Sequence, residues 1–198
     1  MDYKIQKGGK FMNKELYKDI LDAFETEEVR LYAEDMLHLA PAYGDIIAAS
    51  SSGKYHNPQQ CCEGGQLIHV KLACEIMNYI LELEYVQHFI KSPKRRDFLR
   101  VAILLHDAFK RGIYNSDKTV HEHPILAANW IMKSTPTHDL KKADKYRVAS
   151  YVATHSGQWR ESKYSDVKLP KIRVTEQFLV HLCDYLASRK NIELTVQS

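Results

Sequence analysis

Val101-Ala-Ile-Leu-Leu-His-Asp-Ala-Phe-Lys110 decides how this chain is read. Its apolar run belongs in a protein interior, yet His106 and Asp107 interrupt it with two strong metal-binding side chains. A buried carboxylate costs several kcal/mol or more unless a cation or a hydrogen-bonding partner compensates it. The same anomaly recurs in Phe178-Leu-Val-His-Leu-Cys-Asp-Tyr-Leu-Ala187, where Asp184 sits among apolar neighbours. His69, His123 and His155 lie on further apolar segments. One metal centre assembled from several helices explains all of these at once.

Working outward, helical periodicity dominates. Residues 13–38 read as one or two amphipathic helices, with Leu16, Ile20, Leu21, Phe24, Val29, Leu31 and Leu37 facing the core. Pro41 is a break. Residues 45–50 form a short apolar helix, and residues 50–60 form a turn-rich loop. A long helix follows Gly64-Gly65 to about Leu83, burying Val70, Ala73, Ile76, Met77 and Ile80. The next helix spans Asp97 to Lys110. Others run from Pro124 to about Lys133, over 141–154, and from about Val174 to Arg189. No alternating strand pattern and no internal repeat interrupts this, so the fold class is all-α, a multi-helix bundle with the site in its core. Residues 1–12 read as a flexible lead-in and 13–198 as one helical domain.

Composition narrows the function classes. With 198 residues, the chain suits one domain with a real core, and 44% hydrophobic with 27% charged residues is a globular balance. A net charge of +3 is too small to argue for long duplex nucleic acid. The basic cluster Lys91-Ser-Pro-Lys-Arg-Arg96 reads as a solvated helix start. No apolar stretch approaches the roughly 20 residues that span a bilayer, so no membrane partner is expected. Residues 1–10 lack the apolar core of a secretory signal. The cysteines, Cys61, Cys62, Cys74 and Cys183, form no CxxC pair and read as reduced thiols of a cytoplasmic protein. Nothing in the sequence fixes the oligomeric state.

The candidate ligands in chain order are His69, His106, Asp107, His123, His155 and Asp184. Imidazole and carboxylate together suit one or two divalent ions among Mn, Fe, Ni, Co and Zn, with Mg possible. Adjacent residues point about 100° apart on a helix, so His106 and Asp107 converge on one site only at a helix end or in a crowded bundle. Asp107, with two carboxylate oxygens, could serve two metals.

In this pattern the chain resembles the HD-domain metal-dependent phosphohydrolases. The family's His…His-Asp…Asp motif is matched by His69, His106-Asp107 and Asp184, over roughly residues 56–190. The two-metal subfamily adds two histidines, which His123 in His-Pro-Ile-Leu-Ala-Ala and His155 in Ala-Thr-His-Ser-Gly match. Cys183-Asp-Tyr-Leu-Ala-Ser-Arg189 resembles the last helix of bacterial diadenosine tetraphosphate hydrolases. Gly64-Gly-Gln-Leu-Ile-His69, preceded by His56, and Leu169-Pro170 resemble the HD unit of bacterial 3′-to-5′ exoribonucleases.

The resemblance implies a reaction. One metal would be held by His69, His106, Asp107 and Asp184, and a second by Asp107, His123 and His155. A water or hydroxide between them would attack phosphorus in a nucleotide or short oligonucleotide. Lys110 stands where the family often has Lys and would contact the phosphate. Arg160 and Arg189 are further phosphate contacts, and Trp159 a surface for stacking a base. The family's Gly between the HD pair and the Lys is replaced by Ala108-Phe109. The oligonucleotide-binding barrel that accompanies the exoribonuclease unit has no room here, which weighs against processive RNA degradation.

Blander readings stand beside these. His106-Asp107 alone could be a buried hydrogen-bonded pair. His155 and Lys110 could each be a helix C-terminal cation, and Trp159 a packing residue. His121 competes with His123, which fits the family better through its spacing to Ala127-Ala128. His38 and His88 read as core histidines, His138 as surface, and His181 as core or as support for Asp184 three residues on. A mixed-valent di-iron oxygenase and a non-catalytic nucleotide sensor are the alternative functions.

Overall fold

The computed structural model describes residues 12–50, 53–190 and 192. Among these, eight α-helices and three short 3-10 turns carry the chain, with no strand. The helices are α1 (Lys18–Leu21), α2 (Glu27–Leu39), α3 (Gly65–Glu82), α4 (Glu84–Phe89), α5 (Pro93–Leu105), α6 (His123–Lys133), α7 (Lys142–Ala153) and α8 (Thr175–Ala187). No described helix is long and apolar enough to cross a membrane.

The central element is α5. Every residue from Asp97 to Leu105 is buried, the signature of a helix enclosed on all sides rather than on one stripe. It packs against α2, α3, α7 and α8, while α6 lies on α7 and α3 lies on α8. Ser92 caps its start by accepting from the Arg95 amide, and Pro93 occupies its first turn, where its missing N–H costs nothing.

Several sequence expectations shift. The α5 helix begins at Pro93 rather than Asp97, and it stops at Leu105 rather than Lys110. Turns follow through Asn115, with Gly112 at φ 73° and Asn115 at φ 51°. His106 therefore caps the helix C-terminus, the geometry that lets adjacent His106 and Asp107 face one site. Residues 45–50 are no helix. A 3-10 turn, Ala42–Asp45, leads into a strap whose backbone bonds the approach to α3: Gly64 N to Ile46 O at 2.7 Å, Gln66 N to Ile47 O at 2.9 Å and Ala49 N to Gln60 O at 2.8 Å. Residues 14–17 form a 3-10 turn, so Tyr17 is buried and Leu16 exposed. In α2 the core stripe is Val29, Tyr32, Ala33, Met36 and Leu37, with Leu31 at its edge. Phe24 and Ile80 are only half-buried. The helix α4 was not anticipated. His38 and His88 are exposed rather than core, while His138 is on the surface.

The lead-in reading falls mostly on residues 1–11, which lie outside the described residues. Met12, however, is buried in the core, its side chain packed under Gly44. At the other end of the strap, a Cβ on Gly65 would come within 2.3 Å of the Gln60 carbonyl oxygen. Only glycine lets this backbone approach so closely at the start of α3.

Candidate metal centre

Five structural elements bring the six residues together. His69 comes from the second turn of α3, and His106 and Asp107 from the end of α5. His123 opens α6, His155 follows α7, and Asp184 lies on α8. Their donor atoms form two groups, His69–His106–Asp184 and Asp107–His123–His155, each compact enough to surround one ion.

In the first group, His69 Nε2 lies 3.3 Å from His106 Nε2 and 3.1 Å from Asp184 Oδ1, and His106 Nε2 lies 3.6 Å from Asp184 Oδ1. In the second, His123 Nε2 lies 3.0 Å from both His155 Nε2 and Asp107 Oδ1. Asp107 joins the two: its Oδ1 faces His123 and His155, while its Oδ2 lies 3.4 Å from His106 Nε2 and 4.0 Å from His69 Nε2.

Backbone carbonyls set the tautomers. His106 Nδ1 lies 2.6 Å from the Ile103 carbonyl, His123 Nδ1 2.7 Å from that of Val120, and His155 Nδ1 2.8 Å from that of Val152. A carbonyl oxygen only accepts, so each Nδ1 carries the proton and donates it. Each neutral ring then turns the lone pair of Nε2 inward. Facing lone pairs 3.0 Å apart, beside carboxylate oxygens, repel one another unless a cation lies between them. This is the donor set and outer hydrogen bonding of a histidine-carboxylate metal site, and the residues fit one.

The electrostatics agree. Burial opposes charge on Asp107, but Lys110, His106 and His123 outweigh it and hold the carboxyl well below its usual range. For Asp184, burial is likewise outweighed by His106 and His69. Burial pushes His69 and His123 down. On His106 burial acts in the same direction, yet Asp107 and Asp184 overcome it and raise it to about 10. With protons as the only cations, the carboxylates therefore draw a second one onto His106. A divalent ion answers the same demand with two charges.

Around this floor lies a cavity of about 330 Å³, lined also by Tyr55, His56, Lys110, Trp159, Ser188 and Arg189. Lys110 is 7% exposed, and its Nζ donates to Asp107 Oδ2 at 2.5 Å. Arg189 and Trp159 line the cavity. Arg160 does not: its Nε donates to the Leu169 carbonyl at 2.8 Å and so ties off a loop. His121 is turned outward, its Nε2 3.1 Å from the Val167 carbonyl, which leaves the ligand position to His123. His181 packs behind His155, with its Nδ1 2.7 Å from the His155 carbonyl. It is thereby a support of the histidine loop rather than of Asp184. A Cβ on Gly157, at φ 57°, would lie 2.2 Å from the His181 ring, so this contact requires glycine.

Two residues of the site, Gln66 and His56, stand in the stretch that resembles the exoribonuclease unit but have no role assigned from the sequence. Gln66 Nε2 donates to Asp107 Oδ2 at 3.1 Å. Its position three before His69 on α3 was the available signal, since such residues share a helix face. His56 packs its ring 5.4 Å from that of His69, and burial pushes its pKa down to about 4. Neither His56 Nδ1 nor His69 Nδ1 has a hydrogen-bond partner among the described residues. His56 lies in a turn-rich loop, where no periodicity marks it.

No protein-family model, curated protein or solved structure matches this chain.

Proposed function

We propose that this chain is a metal-dependent phosphohydrolase, cleaving a phosphoester or phosphoanhydride bond in a nucleotide or short oligonucleotide. The observation that carries the reading is Asp107, which turns one carboxylate oxygen to each of two buried ligand groups. His69, His106 and Asp184 would hold one divalent ion, and His123 and His155 the other, with Asp107 between them. Divalent ions in such a site supply Lewis acidity, lowering the pKa of water and offsetting charge that develops on phosphoryl oxygens.

The remaining work falls to the protein. The Nδ1–H donations of His106, His123 and His155 fix the three rings, so that little reorganisation is left for the reaction. Gln66 and Lys110 both donate to Asp107 Oδ2 and fix that carboxylate. Lys110 Nζ faces the cavity and would attract a phosphate oxygen there. This cation beside the ligands favours hydrolysis over oxygen chemistry.

The test is turnover by protein reconstituted in turn with Mn, Fe, Ni, Co, Zn and Mg. The panel holds mononucleotides, dinucleoside polyphosphates, cyclic dinucleotides and short RNA, with Asp107→Ala as control. Hydrolysis of one class, lost in the variant, is the expected result. Metal-loaded protein inert towards all of them would overturn the reading. Oxygen consumption after anaerobic iron loading would then point to a di-iron oxygenase, and a metal-dependent rise in Tm alone to a sensor.

A further inference from the structure

We propose that the end of the bundle where α5 begins is a self-complementary interface, on which a second copy of this chain docks by laying its α4 against the groove between α7 and α8. The contact lies at the far end of α5 from the metal ligands and does not use them.

One half of this surface is α4. Its six residues fall well short of the roughly 12–15 that hold an isolated helix together in water. It nevertheless buries none of them, and only Val86 leans on the core. Tyr85 is 84% exposed and Phe89 53%, with Glu84 and His88 beside them around a hollow of about 530 Å³. Glu82 and Leu83, at the end of α3, continue the exposed face. Neither Glu82 nor Glu84 pairs with a cation among the described residues. Large apolar side chains clustered on so short a helix mark a surface that another molecule covers.

The other half is a groove of about 870 Å³ where α7 and α8 begin, walled by Lys142, Tyr146 and Arg147 of α7 and by Arg173 and Val174 ahead of α8. Tyr146 is 68% exposed there. The groove is positive. Asp144 answers both Lys94, at 3.2 Å, and Arg147, at 3.5 Å, and Glu176 pairs with Arg95. No carboxylate among the described residues is left for Lys142 or Arg173.

Both halves sit at one end of α5. Phe89 ends α4 four residues before Pro93 opens α5. The link is fixed, because Arg96 Nη1 donates to the Ile90 and Lys91 carbonyls at 2.9 and 3.1 Å. The pairs Lys94–Asp144 and Arg95–Glu176 bring the starts of α7 and α8 to that same end. His106 caps the opposite end, about 20 Å away at helical rise.

An acidic, aromatic ridge and a basic groove on one end of the molecule make that end complementary to itself. A two-fold axis through it forms both contacts at once, each copy giving its α4 and receiving the other's. The carboxylates of Glu82 and Glu84 would set the register against Lys142 and Arg173, while Tyr85 and Phe89 would bury their rings against Tyr146 and Val174.

Sedimentation equilibrium on the full chain tests this. The wild-type chain is expected to dimerise at micromolar concentration and to dissociate as salt is raised. Glu82→Lys with Glu84→Lys, and separately Lys142→Glu with Arg173→Glu, should each weaken the dimer about tenfold or more. Circular dichroism should show that both variants keep their helices, since all four positions are exposed. Mixed in equal amounts, the two variants should dimerise again, because ridge and groove then meet with opposite charges in both directions. A monomeric wild-type chain, a variant that dimerises as the wild type does, or a mixture of folded variants that stays monomeric would overturn the interface. Retention of poly(Glu,Tyr) or of oligo(dT) by a monomeric wild-type chain would assign the groove to another protein or to a nucleic-acid strand instead.

Discussion

Two buried aspartates, ten residues apart on and just beyond one helix, meet opposite fates. Asp97, in the first turns of α5, is fully enclosed. It accepts from the Glu25 amide at 3.1 Å, the Thr26 amide at 2.7 Å and the Thr26 hydroxyl at 2.6 Å, and it pairs with Arg100 at 2.7 Å. Every lone pair it offers is answered by the protein. Asp107, past the other end, accepts from Gln66 and Lys110 and then faces the Nε2 atoms of the ligand histidines, whose own protons are committed elsewhere. Buried charge alone thus says little about function. What separates a structural carboxylate from a ligand is whether its neighbours are donors or competing acceptors.

The largest effects come from exchanging the loss between the two sites. Asp107→Asn should lower turnover and bound metal by more than the ~10–100-fold that outer partners of a metal site cost. The metal-free variant should still unfold cooperatively. Asp97→Ala should do the reverse, costing about 3–5 kcal/mol by stripping Arg100 of one of its two carboxylates and leaving the Thr26 amide and hydroxyl without their buried acceptor. The folded fraction should keep its full complement of metal. Metal analysis and denaturant unfolding on both variants check this pair, and coupled losses in either would break the distinction.

A smaller effect sharpens the ligand side. Gly157→Ala drives a Cβ into the His181 ring, which should cost about 1–3 kcal/mol. Because His181 donates to the His155 carbonyl, metal affinity should fall as well; unchanged affinity would show that the loop relaxes without moving His155.

The smallest effect lies on the structural side. Arg96, helped by Arg100 and opposed by burial, holds Glu25 down to about 2. Its folded value lies below its unfolded one, so its contribution is present above pH 4.5 and lost as pH falls towards 2. Glu25→Gln should flatten stability across that window and, because the group is partly exposed, cost less than about 1 kcal/mol at neutral pH. Urea midpoints from pH 2 to 7 would show it.

The comparison also explains what could be read from the sequence. His106-Asp107 was legible because apolar residues surround it in the chain itself. Asp97 looked like a helix start, because the Glu25 and Thr26 groups that bury it come from more than seventy positions away. Leu16 and Leu31 were misplaced because the 3-10 turn at 14–17 and the true stripe of α2 shift the buried face by one residue, to Tyr17 and Tyr32. His123 opens one helical segment and His155 follows another, so both could be named, whereas His56 lies in a loop whose course depends on tertiary packing. Arg189 was nameable as a cation, but its guanidinium lies 4.7 Å from the Tyr55 ring and 4.4 Å from that of Tyr185, an arrangement that no local pattern announces.

The hydrogen bonds that orient His106, His123 and His155 all run to the main-chain carbonyl three residues earlier. No side-chain replacement at 103, 120 or 152 removes that acceptor, so the flanking sequence is free to drift under selection for packing alone. The vulnerability lies instead in punctuation. An edit that lengthens α5 or α7 by a turn would keep all six ligands in the chain and still dissolve the centre, because the rings of His106 and His155 depend on where those segments stop.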